Sequence, residues 1–387
     1  MSGETLILNA GSSSLKFAIY IDEDDTPEVS GLIDRIGAGE AEIALKDASG
    51  QPLPAGAPGS VADHGEALMV AIRAMAKHYP DHTIKSVGHR VVHGGPEFAA
   101  PVLIDDAVEE KLMALTPLAP LHQPHCLAGI RAARAAFPDA RHIACFDTAF
   151  HRSMPRLNEL YAIPREHFDA GIRRYGFHGL SYDYIANALR DRHPDLSQGR
   201  VIVAHLGNGA SLCAMRDGRS VATSMGFSAL DGLAMGTRCG NIDPGVLLYL
   251  MDQGMSSAEL SDMLYRRSGL LGLSGTSSDM RTLLASSAPE AAEAAAYFVQ
   301  SVRRGIAELA AMLGGLETLV FTAGIGENAA AIRDAICAEM GWMGIRLDTA
   351  ANDQGEPIIS DSESGVQVLV IPTREDLTIL SAVRAGG

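Results

Sequence analysis

Residues 5–20 read TLILNAGSSSLKFAIY, and this stretch decides the fold. Thr5–Asn9 is an apolar run typical of a buried strand, and Leu15–Tyr20 is a second such run. The small residues AGSSS between the two runs favour a tight turn. The stretch therefore predicts a β-hairpin whose tip carries no large side chain.

The same pattern recurs at residues 201–216, which read VIVAHLGNGASLCAMR. Val201–Leu206 and Ser211–Arg216 predict two strands, and the turn between them again begins with glycine and a small polar residue. A chain of 387 residues has room for two domains of ordinary size. The paired hairpins favour a duplicated domain, although hairpins are common enough for a chance match.

Elsewhere, strand, glycine turn and helix follow one another. LVFTA at 319–323 predicts a buried strand, GIGEN at 324–328 a turn, and residues 329–340 a helix. A long helix is expected over 291–313, and a loop of small residues over 268–278. This alternation predicts an α/β fold.

Composition and charge exclude several classes of function. With 47% hydrophobic and 20% charged residues the chain is typical of globular proteins, and its net charge of −16 argues against nucleic-acid binding. No uncharged apolar run approaches the roughly 18 residues of a membrane span. The 5 cysteines show no CxxC spacing, and the N-terminal residues do not resemble a secretory signal. We therefore expect a soluble, cytoplasmic protein with no membrane partner.

GIGENA at 324–329 supports more than one interpretation. It matches GxGxx(G/A) between a strand and a helix, and Asp348 follows about twenty residues later, as in nicotinamide-dependent dehydrogenases. That motif normally occupies the first strand–helix unit of its domain, whereas here it lies near the end of the chain. A plain helix-packing turn is also possible. The bare backbone at Gly324 and Gly326 nevertheless favours a nucleotide nearby.

The first hairpin turn is a second candidate phosphate-binding site. No GxxxxGK(S/T) motif occurs, which excludes a Walker-type NTPase. The hydroxyls of Ser12, Ser13 and Ser14, together with Lys16 on the returning strand, could bind phosphate oxygens. The amide of Asn9 would lie within reach of a hydrated metal ion.

Polar side chains also stand at strand ends or next to glycines. The set comprises Arg90, His93, His122, Asp147, His178 and Arg238. Each one alone could be a hydrogen-bonded core histidine or an arginine paired with an acid. Together they are the groups that stabilise a charged transition state.

These blocks, taken in order, resemble the acetate kinase family of short-chain carboxylate kinases over essentially the whole chain. The matching blocks are NAGSSSLK, GHRVVHGG, PLHQPH, FDTAFH, YGFHG, HLGNGAS, GTRCGNIDPG, GIGEN and IPTRED. The resemblance implies the fold of the actin, sugar-kinase and Hsp70 group, in which two duplicated RNase-H-like domains close a cleft over ATP. The expected domains are 1–147 with 376–387, on the substrate side, and 148–375, which binds nucleotide and dimerises.

The resemblance also implies an activity and roles for residues. The activity is reversible, ATP-dependent phosphorylation of acetate to acetyl phosphate by a homodimer, with Mg²⁺ or Mn²⁺. Asn9 and Glu375 would hold the metal, and Arg90 would bind the substrate carboxylate. The catalytic residues would be Asp147, His178, Arg238, Arg90 and His122, with His178 and Arg238 stabilising the transition state. Since phosphoryl transfer depends on positioning and charge neutralisation, such groups suit it.

Two larger sets follow by motif. The acyl pocket would comprise Arg90, Val92, Leu121, Phe177 and Ala229. The nucleotide would be bound by Lys16, Ser12, Ser14, His205, Leu206, Gly207, Asn208, Gly209, Asp279, Met280, Arg281, Gly324, Ile325, Gly326, Glu327 and Asn328. The role of Asp147 stays open, because acetate is already ionised at neutral pH and needs no base; Asp147 could instead organise the metal or an arginine.

The chain departs from the family pattern at Asn241, at Arg374 and in FSAL at 227–230. Ala229 stands where proline is common, which leaves propionate or a longer acid as an alternative acceptor. Outside this class, an NAD-dependent oxidoreductase using Gly324–Ala329 and an Hsp70-like ATPase are the other hypotheses. The latter would need a substrate-binding domain for which the chain has no residues to spare.

Overall fold

The computed structural model describes residues 3–11, 13–56, 59–80, 83–120 and 122–386. The chain divides into two compact units: one consists of Met1–Phe150 with Arg374–Gly387, and the other is His151–Thr373. Both boundaries lie a few residues from the expected ones, and Glu375 belongs to the first unit rather than to the second. Two predicted site residues, Ser12 and Leu121, fall outside the described residues.

The described residues of the first unit form an eight-stranded sheet. Its strands are β1 (Glu4–Ala10), β2 (Leu15–Ile21), β3 (Val29–Asp34), β4 (Glu42–Asp47), β5 (Pro52–Leu53), β6 (Ile84–Val91), β7 (Val102–Leu103) and β8 (Arg141–Phe146). They lie in the order β5-β4-β3-β2-β1-β6-β8-β7. β1 is antiparallel to β2 and parallel to β6, and β6 is parallel to β8.

The described residues of the second unit form a five-stranded sheet in the order β11-β10-β9-β12-β13. Its strands are β9 (Arg200–Leu206), β10 (Ala210–Arg216), β11 (Arg219–Thr223), β12 (Thr318–Thr322) and β13 (Gln367–Val370). β9 is antiparallel to β10 and parallel to β12, and β12 is parallel to β13.

The two sheets share one topology. The order β3-β2-β1-β6-β8 in the first unit repeats as β11-β10-β9-β12-β13 in the second, with the same pattern of parallel and antiparallel pairs. The hairpins β1–β2 and β9–β10 occupy equivalent places. The duplication inferred from those hairpins is therefore confirmed.

Helices cover the sheets. In the first unit they are α1 (His64–Ala76), α2 (Asp106–Ala114), α3 (Gln123–Ala136) and α16 (Glu375–Ala385). In the second unit they are α4 (Arg156–Glu159), α5 (Arg165–Asp169), α6 (Gly179–Arg192), α7 (Pro194–Ser197), α8 (Pro244–Asp252), α9 (Ser257–Arg266), α10 (Gly269–Ser274), α11 (Met280–Leu284), α12 (Pro289–Leu313), α13 (Ala323–Asn328), α14 (Ala330–Cys337) and α15 (Thr349–Gln354). None of the helices in these described ranges is long and apolar enough to cross a membrane.

The long helix α12 follows directly from its sequence. It buries a stripe that includes Phe298, Val302, Ile306 and Leu309, whose spacing of three or four residues puts them on one face. It ends at Gly314, whose φ of +75° lies in the left-handed region that glycine adopts readily. The predicted helix at 291–313 is confirmed.

Two segments predicted as loop or turn are helical instead. Residues 268–278 contain α10, which packs on α12 and buries Leu270. Residues 324–328 belong to α13, which buries Gly326 beneath the sheet end. Both segments are rich in glycine, so propensity disfavours a helix, but burial against the rest of the unit outweighs propensity here.

Candidate active site

The first hairpin places Asn9 and Lys16 opposite each other. They are register partners on β1 and β2, so their side chains lie on the same face of the sheet. Asn9 is partly buried and Lys16 is exposed. In the turn, the Gly11 amide donates a hydrogen bond of 2.8 Å to the Ser14 carbonyl oxygen. Lys16 is therefore open to solvent on the same sheet face that carries Asn9.

A charged cluster lies where β6 and β8 end. Arg90 on β6 donates from Nε to Asp147 Oδ1 at 3.0 Å and from Nη2 to Asp147 Oδ2 at 2.6 Å. Its Nη1 donates to Asn9 Oδ1 at 3.0 Å. Glu375 Oε2, at the start of α16, lies 3.9 Å from Arg90 Nε. The sheet and α16 thus bring together four predicted residues that are distant in sequence.

The ion pair in this cluster is shielded from solvent. The side chain of Asp147 is 3% exposed and that of Arg90 is 19% exposed. Burial raises the pKa of Asp147, and the charge of Arg90 opposes that rise. Burial acts to lower the pKa of Arg90, but the charges of Asp147 and Glu375 raise it overall. Arg90 therefore stays cationic and already holds one carboxylate in a two-bond fork.

His122 and His93 stand near this cluster but differ in role. His122 immediately precedes α3, and its charge acts to lower the pKa of Asp147. His93 is fully buried, and its Nδ1 accepts a hydrogen bond of 2.9 Å from the Gly95 amide. Burial lowers the pKa of His93 to about 4, so its ring is neutral at physiological pH. His93 is a structural residue of the loop after β6.

In the second unit, His178 and Arg238 converge on the turn of the β9–β10 hairpin. A Cβ placed on Gly209 would lie 3.4 Å from His178 Nε2 and 4.0 Å from Arg238 Nη1. His178 has a φ of +58° at the start of α6, and its Nδ1 lies 2.8 Å from Ser211 Oγ. Its ring stacks on that of His205, with centroids 4.2 Å apart. Glycine at 209 keeps the space beside both donors clear.

Two of the acyl-pocket candidates that the structure describes are buried. Val92 in the first unit and Phe177 in the second are 5% and 3% exposed. Ala229 is partly buried, and its carbonyl oxygen accepts a hydrogen bond of 3.3 Å from Arg238 Nη1. Arg238 therefore links the backbone of the Ala229 position to the Gly209 turn.

The loop between β11 and α8 approaches the same hairpin. The Gly236 amide donates to the Asn208 carbonyl oxygen at 2.9 Å. A Cβ on Gly236 would lie only 1.9 Å from Asn208 Oδ1, so this close approach requires glycine. The contact fixes the exposed Asn208 within the HLGNG turn formed by residues 205–209.

The HLGNG turn and the single helical turn α13, called the GIGEN turn below, lie side by side. β9 and β12 are parallel neighbours in which His205 pairs with Thr322, so both turns leave the same edge of the sheet. Gly324 is exposed, and a Cβ placed there would meet nothing within 4 Å. Glu327 Oε1 accepts from the amides of Ala323 at 2.7 Å and of Thr373 at 3.0 Å. Glu327 therefore stabilises the turn through hydrogen bonds to its backbone. Because Gly324 has no side chain, the solvent-facing side of the turn stays open.

The DMR stretch forms the start of α11. Asp279 Oδ1 caps this helix by accepting from the Arg281 amide at 3.2 Å, and the Arg281 guanidinium lies 3.3 Å from Asp279 Oδ2. The side chain of Arg281 is 89% exposed, whereas Met280 is buried. Met280 thus anchors the helix, and Arg281 is the member of this stretch that projects into solvent.

The chain is similar to known proteins over nearly its whole length. The model of the Acetokinase family matches residues 4–381. The chain belongs to the acetokinase family. The acetate kinase of Methylocella silvestris is 49% identical and covers 97% of this chain and 96% of its own length. The acetate kinase of Rhodopseudomonas palustris is 48% identical, covering 98% of this chain and 97% of its own.

Solved structures of family members share the fold. The propionate kinase of Francisella tularensis superposes with a TM-score of 0.92 at 37% identity, covering 98% of both chains. The acetate kinase of Porphyromonas gingivalis gives a TM-score of 0.87 at 34% identity, covering 99% of both. The predicted acetokinase family and its duplicated actin-like ATPase fold are confirmed.

The acetokinase architecture removes the dehydrogenase hypothesis. Asp348, the expected ribose-binding acid, caps α15 by accepting from the Ala351 amide at 3.0 Å. The sheet that carries GIGEN is mixed rather than parallel. GIGENA thus resembles a dinucleotide motif only in its glycine spacing.

The donor set at Arg90 fits magnesium bound through phosphate. Asn9 supplies an amide oxygen and Glu375 a carboxylate, whereas no group of three or more His, Cys, Asp or Glu in the described ranges could hold a metal alone. Mg²⁺ prefers oxygen donors and usually takes one or two carboxylates together with substrate phosphates and water. Asn9 and Glu375 supply only a few oxygen donors, which suits a magnesium ion that takes its other ligands from phosphate and water.

Several residues of this candidate site are not singled out by the sequence. Ser211 lies against His178, and Ser181 Oγ lies 2.8 Å from both His205 Nδ1 and Thr373 Oγ1. The only sequence signal is position, because each lies within or directly beside a family block. Their hydrogen bonds join segments far apart in the chain, which no local pattern reveals.

Proposed function

We propose that this chain transfers the γ-phosphoryl group of ATP to acetate, giving ADP and acetyl phosphate, and that it also catalyses the reverse reaction. Membership of the acetokinase family makes it a phosphotransferase with a carboxyl group as acceptor. The observation that carries the proposal is the placement of Arg90: Asp147 and Asn9 hold the guanidinium at the end of β6 through three of its five N–H groups, which leaves one N–H on Nη1 and one on Nη2 for the acceptor carboxylate.

Arg90 binds the acceptor and Asp147 orients Arg90. Acetate is ionised at neutral pH, so its oxygen needs no base before it attacks phosphorus. Asp147 is buried and hydrogen-bonded to two of the guanidinium nitrogens, which fixes the plane of the fork. We therefore assign Asp147 as an organiser of Arg90 rather than as a proton acceptor. When protonated, His122 adds positive charge near this carboxyl.

The metal residues are Asn9 and Glu375. Mg²⁺ or Mn²⁺ bound there would neutralise negative charge on the phosphate oxygens. Arg90 lies within hydrogen-bond distance of Asn9 and 3.9 Å from Glu375, so it holds both side chains near the acceptor.

His178 and Arg238 serve the transferring phosphoryl group. Its charge spreads over three oxygens in the transition state, which calls for fixed hydrogen-bond donors. His178 is fixed through Ser211, and Arg238 through the Ala229 carbonyl oxygen. Both are held before any substrate binds.

The nucleotide is assigned to three stretches of the second unit: 205–209, 279–281 and 324–328. The first and last leave adjacent strands at one sheet edge and offer glycine backbone, which a phosphate or a ribose can approach closely. Ser14 and Lys16 of the first unit would contact the phosphates.

Propionate is the second candidate acceptor. Ala229 has a short side chain next to the carbonyl oxygen that Arg238 holds. One additional methylene in an apolar pocket changes discrimination by only about 1–3 kcal/mol. Acetate remains the first choice, because Val92 and Phe177 match the family pattern and a change at one position seldom reverses a preference.

A homodimer in the cytoplasm is the form we propose. α8 buries none of its residues although its sequence, PGVLLYLMD, is strongly apolar. Val246, Leu248, Tyr249 and Met251 are 42–64% exposed, and an apolar helix exposed to this extent favours a protein partner. A second copy of α8 would cover it. Light scattering should report a dimer for the natural chain and a monomer for Leu248→Asp; an unchanged mass in that variant would contradict this surface.

Trapping the acyl phosphate tests the activity. With ATP, Mg²⁺ and hydroxylamine, acetate should yield acetyl hydroxamate in amounts equal to the ADP formed. Acids with two, three and four carbons compared side by side give the acyl preference. ADP formation without hydroxamate would contradict the proposal and favour a plain ATPase.

A further inference from the structure

Arg333 is a charged side chain in the interior of the second unit. It lies on α14 and is 1% exposed. All its hydrogen-bond partners among the described residues are uncharged oxygens. Burial lowers the pKa of Arg333 from its ordinary value. Since a buried charge is unfavourable unless its donors are satisfied, this arginine must be held by its contacts.

Half of the guanidinium holds the end of α13. Arg333 Nη1 donates to the carbonyl oxygens of Gly326 and Glu327, each at 2.9 Å. Carbonyls at a helix C-terminus lack partners within the helix and carry partial negative charge. A cation at this point therefore satisfies two of them at once. These carbonyls belong to the GIGEN turn.

The other half is fixed by Asn352 of α15. Arg333 Nε donates to Asn352 Oδ1 and Nη2 donates to the Asn352 carbonyl oxygen, both at 2.8 Å. Asn352 is fully buried and its Nδ2 donates to the Ala330 carbonyl oxygen at 3.0 Å, at the first residue of α14. Asn352 thus sets the orientation of the fork, and the fork sets the position of the GIGEN turn.

The turn needs such support because its backbone is strained. Ala323 has a φ of +65°, in the left-handed region that residues other than glycine rarely occupy. Such a conformation persists only where the surroundings impose it. Arg333 holds the turn from its buried side, while Gly324 is open on the other side. The exposed backbone is therefore held rigid from below.

We propose that Arg333, oriented by Asn352, is a positioning residue that keeps the turn 324–328 in its nucleotide-binding conformation. This inference rests on the proposed function, in which that turn binds ATP. A lysine would retain the positive charge but could not reproduce the planar fork that reaches α13 and α15 together. The geometry of the guanidinium, rather than its charge, is what nucleotide affinity requires.

Arg303 provides a matched control. Its Nε donates to the carbonyl oxygens of Ala335 and Ile336, both at 3.1 Å, near the C-terminal end of α14. Arg303 and Arg333 thus both cap helix carbonyls in one unit, but only Arg333 contacts the GIGEN turn. Arg303→Met should lower thermal stability without changing nucleotide affinity.

The test is equilibrium binding of a fluorescent ADP analogue to the full chain with Mg²⁺, together with steady-state kinetics. Arg333→Lys and Arg333→Met should each weaken nucleotide binding at least tenfold, about 1.4 kcal/mol. Each should raise the KM for ATP by a similar factor. The KM for acetate should stay within twofold. Asn352→Ala, which leaves Arg333 in place, should weaken binding at least threefold.

The possible outcomes separate this inference from the proposed function. If the natural chain binds no nucleotide, the proposed function fails. If it binds nucleotide and the folded Arg333 and Asn352 variants bind equally well, the inference is overturned. Equal weakening in Arg303→Met would also overturn it, because the effect would then be a general loss of helix stability. Failure of every Arg333 variant to fold, with unchanged binding in Asn352→Ala, would make Arg333 a folding residue and likewise overturn the inference.

Discussion

Removing Arg90 should destabilise the first unit through the carboxylate it leaves behind. Asp147 is 3% exposed and receives two hydrogen bonds from Arg90. Breaking a buried ion pair by deleting one partner costs about 3–5 kcal/mol, since the other charge stays buried without compensation. We expect Arg90→Ala to lose about that much unfolding free energy, and Arg90→Ala/Asp147→Asn to recover most of it.

The loss should depend on pH in a defined direction. Burial raises the pKa of Asp147, and removing the Arg90 charge raises it further. A carboxyl whose pKa is higher in the folded state binds its proton more tightly there, so folding is favoured as pH falls. The destabilisation in Arg90→Ala should therefore be larger at pH 8 than at pH 5.

Urea unfolding followed by circular dichroism at both pH values measures these effects. Arg134→Ala is the control, because Arg134 pairs with Glu109 and Asp106 at the surface and such pairs contribute at most about 1 kcal/mol. Two results would show that Asp147 is not held through the charge of Arg90. One is a double variant Arg90→Ala/Asp147→Asn that is no more stable than Arg90→Ala. The other is a loss of unfolding free energy in Arg90→Ala that becomes smaller as the pH rises.

Three further predictions concern catalysis, specificity and acid stability. Arg238→Ala or His178→Ala should lower kcat at least a hundredfold while nucleotide affinity stays within threefold; near-normal turnover in both would remove them from the transition state. Ala229→Pro should lower kcat/KM for propionate relative to acetate, and equal ratios in the two proteins would show that position 229 does not set chain length. Burial holds the pKa of His93 at about 4 in the folded state, against about 6.5 in the unfolded state. As the pH falls below about 6.5, the unfolded state binds a proton that the folded state does not, so the free energy of unfolding falls by up to about 3 kcal/mol. His93→Gln should flatten this loss in urea midpoints measured from pH 7 to 4.5, and an equally steep loss would assign it to other groups.

The hairpins were predictable from local signals, but the duplicated fold rested mainly on the family resemblance, because two similar hairpins alone could match by chance. Apolar runs on either side of small-residue turns specify β1–β2 and β9–β10 without reference to the rest of the chain. The long helix α12 was equally predictable from its apolar stripe. The residues of the Arg90 cluster were identifiable because each lies in a family block.

Other features depend on contacts that no local pattern contains. α10 and α13 are short helices of glycine-rich sequence, stabilised by packing rather than by propensity. The fork of Arg333 depends on Asn352, which lies in a different helix and in no family block. Glu375 joins the first unit because α16 packs against β6 and β1. Such pairings are set by tertiary structure alone.

The binding of the acceptor carboxylate by Arg90 is tested most directly by kcat/KM for acetate in Arg90→Ala, with Arg134→Ala alongside. Two hydrogen bonds from a charged donor are each worth about 1.5–3 kcal/mol, so kcat/KM should fall at least a hundredfold. The affinity of Arg90→Ala for the ADP analogue should stay within threefold of that of the natural chain. The kcat/KM of Arg134→Ala for acetate should also stay within threefold of the natural value. A folded Arg90→Ala protein that phosphorylates acetate with near-natural kcat/KM would contradict the role of Arg90 as the carboxylate-binding residue.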